Sequence, residues 1–217
     1  MRFGLIFMAI MLLIGLLVSI KRQIFDIALL TKTLLSAIFV LAALTTPHLN
    51  PTYSWLIIIA LAFCLAGDIC LAFDSRKAFL SGLVVFLIGH LVYAAAFFNI
   101  AKVNVWTIGS LVAVGAVSRA VYGWLKPHLG TMQGPVIAYM LIITAMVAGA
   151  GSVAGDSHFS AIGRWLVAGG AILFYLSDLF VARNQFVKDA FFNRAVGLPL
   201  YYLGQFLLAF SVGKIYI

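Results

Sequence analysis

The feature that most constrains this chain is its series of long apolar runs, which leave only short polar joints between them. We identify eight runs, at residues 3–20, 29–46, 53–73, 79–98, 103–125, 132–153, 165–182 and 196–216. An apolar stretch of about 20 residues crosses the hydrocarbon core of a bilayer as a helix. A helix also bonds all its backbone polar groups internally, as hydrocarbon requires. The runs therefore predict an all-α fold, a polytopic integral membrane helical bundle with eight transmembrane helices.

The joints between the runs leave no room for a soluble domain. The longest, residues 183–194, is about a dozen residues long, so we expect residues 1–217 to form a single transmembrane domain. With 65% hydrophobic and 9% charged residues, the chain lies far from soluble globular proteins. The first run has no small-residue cleavage site and ends at Lys21-Arg22, which favours an uncleaved span over a signal peptide. Cys64 and Cys70 have neither disulfide nor zinc spacing and are interpreted as packing residues.

The net charge of +8 comes from lysines and arginines scattered between the apolar runs. Such residues set membrane topology and contact lipid headgroups, so we expect membrane lipids as partners and no nucleic acid. The joints after odd-numbered runs carry eight of them, at positions 21, 22, 76, 77, 126, 183, 188 and 194, and the other side carries four, at positions 2, 102, 164 and 214. The positive-inside rule then predicts a multi-pass protein with both termini outside the cytoplasm. The short joints are typical of a bacterial chain, so we expect a bacterial inner-membrane protein with both termini in the periplasm.

Two aspartates stand inside the apolar runs. The chain has no glutamate, and of its six aspartates only Asp68 and Asp178 lie well within predicted spans. A carboxylate at the centre of a membrane helix costs about 3 kcal/mol on insertion scales, so such residues are functional candidates by default. The remaining structural explanation is a buried ion pair, for example Asp178 with Arg119.

The other polar residues of the spans fall in the same half of the membrane. In an alternating bundle, the late part of each odd span shares a leaflet with the early part of each even span. That leaflet would hold both aspartates and most of the remaining polar residues, namely Lys32, Arg119, Tyr139, Tyr201, Tyr202 and Gln205, with His90 near mid-membrane. We infer one polar cavity that opens toward the cytoplasmic side.

Each of these polar residues also has a structural interpretation. Lys32 and Arg119 are equally consistent with side chains that snorkel to the interface. His90 is as consistent with a hydrogen-bonded packing residue as with a ligand, and Tyr139 and Tyr201 with aromatics of the interfacial belt.

Two buried carboxyl groups suit acid–base chemistry. Because both groups are buried and their negative charges repel each other, they lose their protons at different pH. One can then act as general acid and the other as general base. This suits a reaction through an oxocarbenium-like cation. Metal hydrolysis fits less well, because no HExxH pair is present and His90 is the one histidine inside a span. No GxSxG motif is present, and Ser177 has no evident histidine partner.

Several motifs resemble the lysoplasmalogenase family, eight-span membrane proteins of the YhhN type. They are Ala66-Gly67-Asp68 with Leu71; Gly82 and Gly89-His90 with Tyr93; Pro135-Val136 with Tyr139; Gly170 through Ser177-Asp178 with Phe186; Tyr201 or Tyr202 with Gln205; and Lys32. The resemblance covers nearly the whole chain, and its most specific parts are the two aspartate motifs. Ala66 departs from the pattern, since many relatives have serine there.

The resemblance implies hydrolysis of the vinyl-ether bond of a lysoplasmalogen to a fatty aldehyde and a glycerophospho-alcohol. Asp68 and Asp178 would be catalytic, and no metal or organic cofactor would be needed. The lysophospholipid substrate would be bound by a wider set of residues, namely Lys32, His90, Tyr93, Arg119, Tyr139, Ser177, Tyr201 and Gln205. Lys32, Arg119 or Arg183 would contact its phosphate.

Two other functions remain open at this point. A small proton- or cation-coupled transporter would use Asp68 and Asp178 as relay groups, although no pair of Gly/Pro-broken spans marks a transport site. A lipid-binding structural protein would keep them in an inert ion pair. Which aspartate is the acid, and the oligomeric state, are left open.

Overall fold

A computed structural model describes residues 2–216, with side chains from residue 4 onward, so the side chain of Arg2 in the charge count lies outside it. Eight long helices follow one another: α1 (Arg2–Lys21), α2 (Phe25–Leu44), α3 (Pro51–Cys70), α4 (Arg76–Ile100), α5 (Val105–Leu129), α6 (Gln133–Ala154), α7 (Ala161–Ala182) and α8 (Phe191–Ser211). A 3₁₀ turn, Gly130–Met132, joins α5 to α6, and a π-helical turn, Arg183–Val187, extends α7. No strand occurs within residues 2–216.

The helices confirm the prediction of an all-α polytopic membrane bundle, but the count of eight apolar spans is slightly too high. Six segments of the described chain are long and apolar enough to cross a membrane, and one of them, Val105–Ala154, contains both α5 and α6. The segments thus include seven helices, and α8 is left out. The physical reason is its polar content, since Asn193, Arg194 and Gln205 all lie within it.

The helices form an inner ring of six with two helices outside it. In ring order, α2, α3, α4, α6, α7 and α8 each contact the next, and α8 contacts α2 to close the circle. Helix α1 packs outside α2 and α8, and α5 packs outside α6. In this order α3 lies opposite α7, and α4 lies opposite α8. The two aspartate-bearing helices therefore face one another.

The ends of α3 and α4 are fixed by local hydrogen bonds. The Asn50 side chain accepts from the Tyr53 amide at 3.0 Å, and Pro51 occupies the first turn of α3. The Ser75 hydroxyl accepts from the Ala78 amide at 3.1 Å and begins α4. Such caps satisfy amides that have no partner within the helix. Asp68 consequently lies in the last turn of α3, next to the α3–α4 joint.

The backbones of helices α7 and α8 approach each other closely at a pair of glycines. A Cβ atom added at Gly170 would lie 2.9 Å from the carbonyl oxygen of Gly204 and 2.7 Å from Leu208 Cγ. A Cβ atom added at Gly204 would lie 2.9 Å from the carbonyl oxygen of Gly170. Small residues let membrane helices pack this closely. The contact fixes α7, and hence Asp178, relative to α8.

Substitution of Gly170 tests this contact. We expect Gly170→Ala to lower the free energy of unfolding by about 1–3 kcal/mol, because the methyl group must displace the α8 backbone. Thermal unfolding of the purified protein in detergent measures the change. Gly169→Ala is the matched control, since its Cβ would meet Leu207 Cδ1 at an ordinary 3.5 Å. Equal melting temperatures for the two variants would contradict the assignment.

Candidate active site

Asp68 is almost completely buried and accepts hydrogen bonds from donors on two neighbouring helices. Lys32 Nζ of α2 lies 3.2 Å from Asp68 Oδ1. Ser36, one turn further along α2, donates from its hydroxyl to Asp68 Oδ2 at 2.6 Å, and Tyr201 of α8 donates to the same oxygen at 2.7 Å. The Tyr202 hydroxyl lies 3.3 Å from Ser36 Oγ and extends the network. An ammonium and two hydroxyls thus replace water around this carboxylate.

Asp178 is held by a different pair of groups and is more accessible. Tyr139 of α6 donates from its hydroxyl to Asp178 Oδ2 at 2.7 Å. His90 Nε2 of α4 lies 3.2 Å from the same oxygen. The Asp178 side chain is 17% exposed, against 3% for Asp68. His90 is fully buried, and its other ring nitrogen, Nδ1, has no hydrogen-bond partner among the described residues. A neutral imidazole would therefore hold its proton on Nε2, facing Asp178.

Two phenylalanines connect the Asp68 and Asp178 clusters. The Phe174 ring packs against His90, with centroids 4.4 Å apart, and against Tyr201, with centroids 5.3 Å apart. Phe86 contacts both Phe174 and Tyr201, at 6.1 and 6.0 Å. The tyrosine that donates to Asp68 and the histidine beside Asp178 therefore pack against the same ring. This apolar separation keeps the two polar clusters close without merging them.

Gly67 explains how Phe86 reaches this position. A Cβ atom at residue 67 would lie 2.6 Å from Phe86 Cε2, too close for any side chain to be accommodated without moving the ring. Glycine next to Asp68 thus serves the packing of an aromatic residue against α3.

A cavity of about 930 Å³ reaches both aspartates. Its walls are mainly apolar, and its rim includes residues from the α1–α2, α3–α4, α5–α6 and α7–α8 joints. These are the joints that the charge count assigns to one side of the membrane. Asp68, Asp178, Lys32, Tyr139, Ser177 and Tyr201 all belong to the lining. Five of the eight polar residues predicted to share one membrane half therefore line one cavity, whereas Arg119, Tyr202 and Gln205 do not.

Tyr93 and Gln205 lie outside the cavity lining. The Tyr93 hydroxyl of α4 donates to Gln205 Oε1 of α8 at 2.7 Å, and both side chains are fully buried. Because α4 and α8 face one another, this bond crosses the ring and joins opposite helices. The two residues tie the bundle together, and neither is placed to contact a ligand in the cavity.

One predicted contact of the site needs correction, and two further predicted residues have partners within the protein. Arg119 is exposed on α5 and is absent from the cavity lining, so it is no counter-ion of Asp178. The position of Arg119 along its span predicted its depth in the membrane, but Arg119 lies on the face of α5 that points away from the ring. Ser177 lines the cavity, yet its hydroxyl donates to the Phe174 carbonyl of its own helix at 2.7 Å. Arg183, predicted to contact a phosphate, donates to Asn193 Oδ1 in the α7–α8 joint.

Sequence reasoning missed Ser36, Phe86 and Phe174. The one signal for Ser36 is its spacing of four residues from Lys32, which places both on one face of α2. The phenylalanines carry no such signal, since the chain has 18. Within the described residues, no group of three or more His, Cys, Asp or Glu side chains is arranged to hold a metal ion.

Comparison with known proteins supports the family resemblance. The YhhN family model matches residues 27–212. Lysoplasmalogenase TMEM86A of Bos taurus is 34% identical over 159 residues, which cover 71% of this chain and 64% of the relative. Lysoplasmalogenase TMEM86B of Rattus norvegicus is 35% identical over 161 residues, 74% of this chain and 62% of the relative.

A bacterial relative is more distant. Lysoplasmalogenase of Mycobacterium tuberculosis is 28% identical over 172 residues, 76% of this chain and 62% of the relative. The chain thus spans slightly less than two thirds of the length of these relatives. No solved structure matches it. The family match covers both aspartates and seven complete or nearly complete helices, α2 to α8. The chain belongs to the YhhN family of multi-pass integral membrane proteins.

Proposed function

We propose that this protein hydrolyses the vinyl-ether bond of a lysoplasmalogen, releasing a fatty aldehyde and a glycerophospho-alcohol. The observation that carries the proposal is that two carboxyl groups from facing helices, Asp68 and Asp178, line one apolar cavity with different partners. The names of the relatives supply the substrate class. A single-chain lipid suits a cavity of this size and apolar lining, with its tail among side chains such as Leu83 and Leu125.

Asp178, with His90, is the proposed source of the proton. It is the more accessible carboxyl group, and His90 presents a ring nitrogen to it at 3.2 Å. A proton shared by this pair would be delivered to the vinyl carbon remote from the ether oxygen. The remaining carbon becomes an oxocarbenium ion. Tyr139, which donates to the same Asp178 oxygen, would hold the carboxyl group in place.

Asp68 is the proposed acceptor of the proton from water. Its partners are an ammonium and two hydroxyl donors, all of which favour a carboxylate over a carboxylic acid. A carboxylate here would stabilise the developing cation and take a proton from the attacking water. In the collapse of the resulting hemiacetal, Asp178 takes the proton of the hydroxyl group, Asp68 gives its proton to the glycerol oxygen, and the C–O bond to glycerol breaks. The aldehyde and the alcohol separate, and both carboxyl groups return to their starting states. Every proton in this sequence has a named donor or acceptor.

Membrane orientation follows from the same cavity. The rim joints include those that hold most of the positive charge, such as Arg76 and Arg194. By the positive-inside rule, the proposed orientation puts the cavity mouth in the cytoplasm and both termini in the periplasm of a bacterial inner membrane.

The transporter alternative is less well supported. The relatives carry hydrolase names. The Tyr93–Gln205 bond also joins opposite helices of the ring below the cavity, where a transport path would have to open.

Replacement of each aspartate by the uncharged asparagine tests the proposal. We expect purified wild-type protein to release aldehyde from an alkenyl lysophospholipid, and Asp68→Asn and Asp178→Asn each to lower kcat at least about a hundredfold, because each removes one partner of acid–base catalysis. Asp156→Asn, in the α6–α7 joint, is the matched control and should retain activity. A wild-type protein that releases no aldehyde would refute the hydrolase function. Activity in both variants would refute the proposal that Asp68 and Asp178 are the catalytic residues.

Ser36 tests the role given to Asp68. We expect Ser36→Ala to lower kcat with little change in KM, since the buried carboxylate loses one of its donors, at a cost of about 1–3 kcal/mol. Ser54 is a buried serine whose hydroxyl has no partner among the described residues, so Ser54→Ala is the control. Steady-state kinetics and thermal unfolding of both variants provide the measurement. A Ser36→Ala variant with wild-type kcat would show that this hydrogen bond does not support catalysis.

A further inference from the structure

The cavity contains a nucleophile that hydrolysis does not use, the amine of Lys32. Lys32 is the one lysine among the cavity-lining residues, and its side chain is 13% exposed. The other lysines are all exposed and lie in joints or at helix ends, at positions 21, 77, 102, 126, 188 and 214. Lys32 Nζ is 3.2 Å from Asp68 Oδ1, one of the two groups at which the vinyl ether would be cleaved.

We propose that Lys32 reversibly captures long-chain aldehydes as an imine. The inference rests on the proposed function for its natural ligand, because hydrolysis would form the aldehyde within the cavity that Lys32 lines. A carbonyl carbon is an electrophile, and a primary amine held beside it reacts as if highly concentrated. The reactants are therefore brought together by the same geometry that serves the hydrolysis.

The step balances with groups already in the cavity. The Lys32 ammonium first passes a proton to the Asp68 carboxylate, which frees the nitrogen lone pair. The nitrogen attacks the aldehyde carbon, a C–N bond forms as the C=O π bond breaks, and a proton passes from the nitrogen to the former carbonyl oxygen to give a neutral carbinolamine. Asp68 then returns its proton to this hydroxyl, the C–O bond breaks, and water leaves. The product is a protonated imine, whose positive charge replaces that of the ammonium beside Asp68.

The surroundings favour retention of such an adduct. The charge next to Asp68 is the same before and after the reaction, so its buried ion pair is not lost. The alkyl tail stays among apolar walls, and the joined Tyr93 and Gln205 lie outside the cavity lining toward the centre of the ring. Release requires water to add back to the imine carbon. Lys32 would thus delay escape of the aldehyde into the membrane.

Reductive trapping tests the proposal. The full chain, purified in detergent, is incubated with hexadecanal and sodium cyanoborohydride, which converts an imine to a stable secondary amine. Peptide mapping by mass spectrometry then locates the alkyl group. We expect Lys32 to be labelled at least about tenfold more than any other lysine, given the proximity effect. Lys32→Arg, which keeps a cation beside Asp68, should lose this label, and Lys77→Arg, an exposed control, should keep it.

Labelling of Lys32 no greater than that of Lys77 would overturn the proposal, and so would a label that survives at full yield in Lys32→Arg. Site mapping in the wild type decides the matter even if Lys32→Arg fails to fold. A second arm replaces the aldehyde with alkenyl lysophospholipid. There the Asp178→Asn variant should lose the label but regain it with added hexadecanal. Label from hexadecanal but none from the lysolipid in the wild type would leave the capture site standing and refute the hydrolase function.

Discussion

The structure depends on how a carboxylate is stabilised inside a membrane bundle. Asp68 cannot stay charged in hydrocarbon without partners, and it receives them from Lys32, Ser36 and Tyr201. These donors come from α2 and α8, so the aspartate is satisfied only when three helices are assembled. The glycine contact between α7 and α8 then ties the opposite aspartate to the same framework. One electrostatic requirement thereby couples helix packing to the geometry of the cavity.

The inner ring explains why two residues 110 positions apart meet at one site. Helices α3 and α7 face each other, and both aspartates lie near the helix ends that border the cavity rim. The bond between Tyr93 and Gln205 joins the other facing pair, α4 and α8. The site is thus open on one side and tied across the ring further in. An amphiphile can place its polar end at the rim and its tail against the apolar walls.

Signals that are local in sequence predicted much of this arrangement, and signals that depend on packing did not. The lengths of the apolar runs predicted the helices. The isolated charged residues within those runs predicted that Asp68, Asp178 and Lys32 lie together in one cavity. Arg119 was misplaced because depth along a span does not determine which face points inward. Ser36 escaped notice because a hydroxyl becomes a donor to Asp68 only once α2 and α3 are packed. Helix α8 is too polar to be counted among the apolar spans, and its polar residues include Tyr201 and Gln205.

The two carboxyl groups of the cavity have different surroundings. Asp68 is enclosed and bound to an ammonium, whereas Asp178 is partly open to the cavity and borders a histidine. A symmetrical pair would offer no basis for dividing the roles of acid and base, whereas in the proposed mechanism the accessible Asp178 supplies the proton and the enclosed Asp68 accepts one. In the proposed reaction, a substrate that enters from the rim would meet Asp178 first. A cation formed there would lie in the same cavity as Asp68, which would stabilise it without rearrangement.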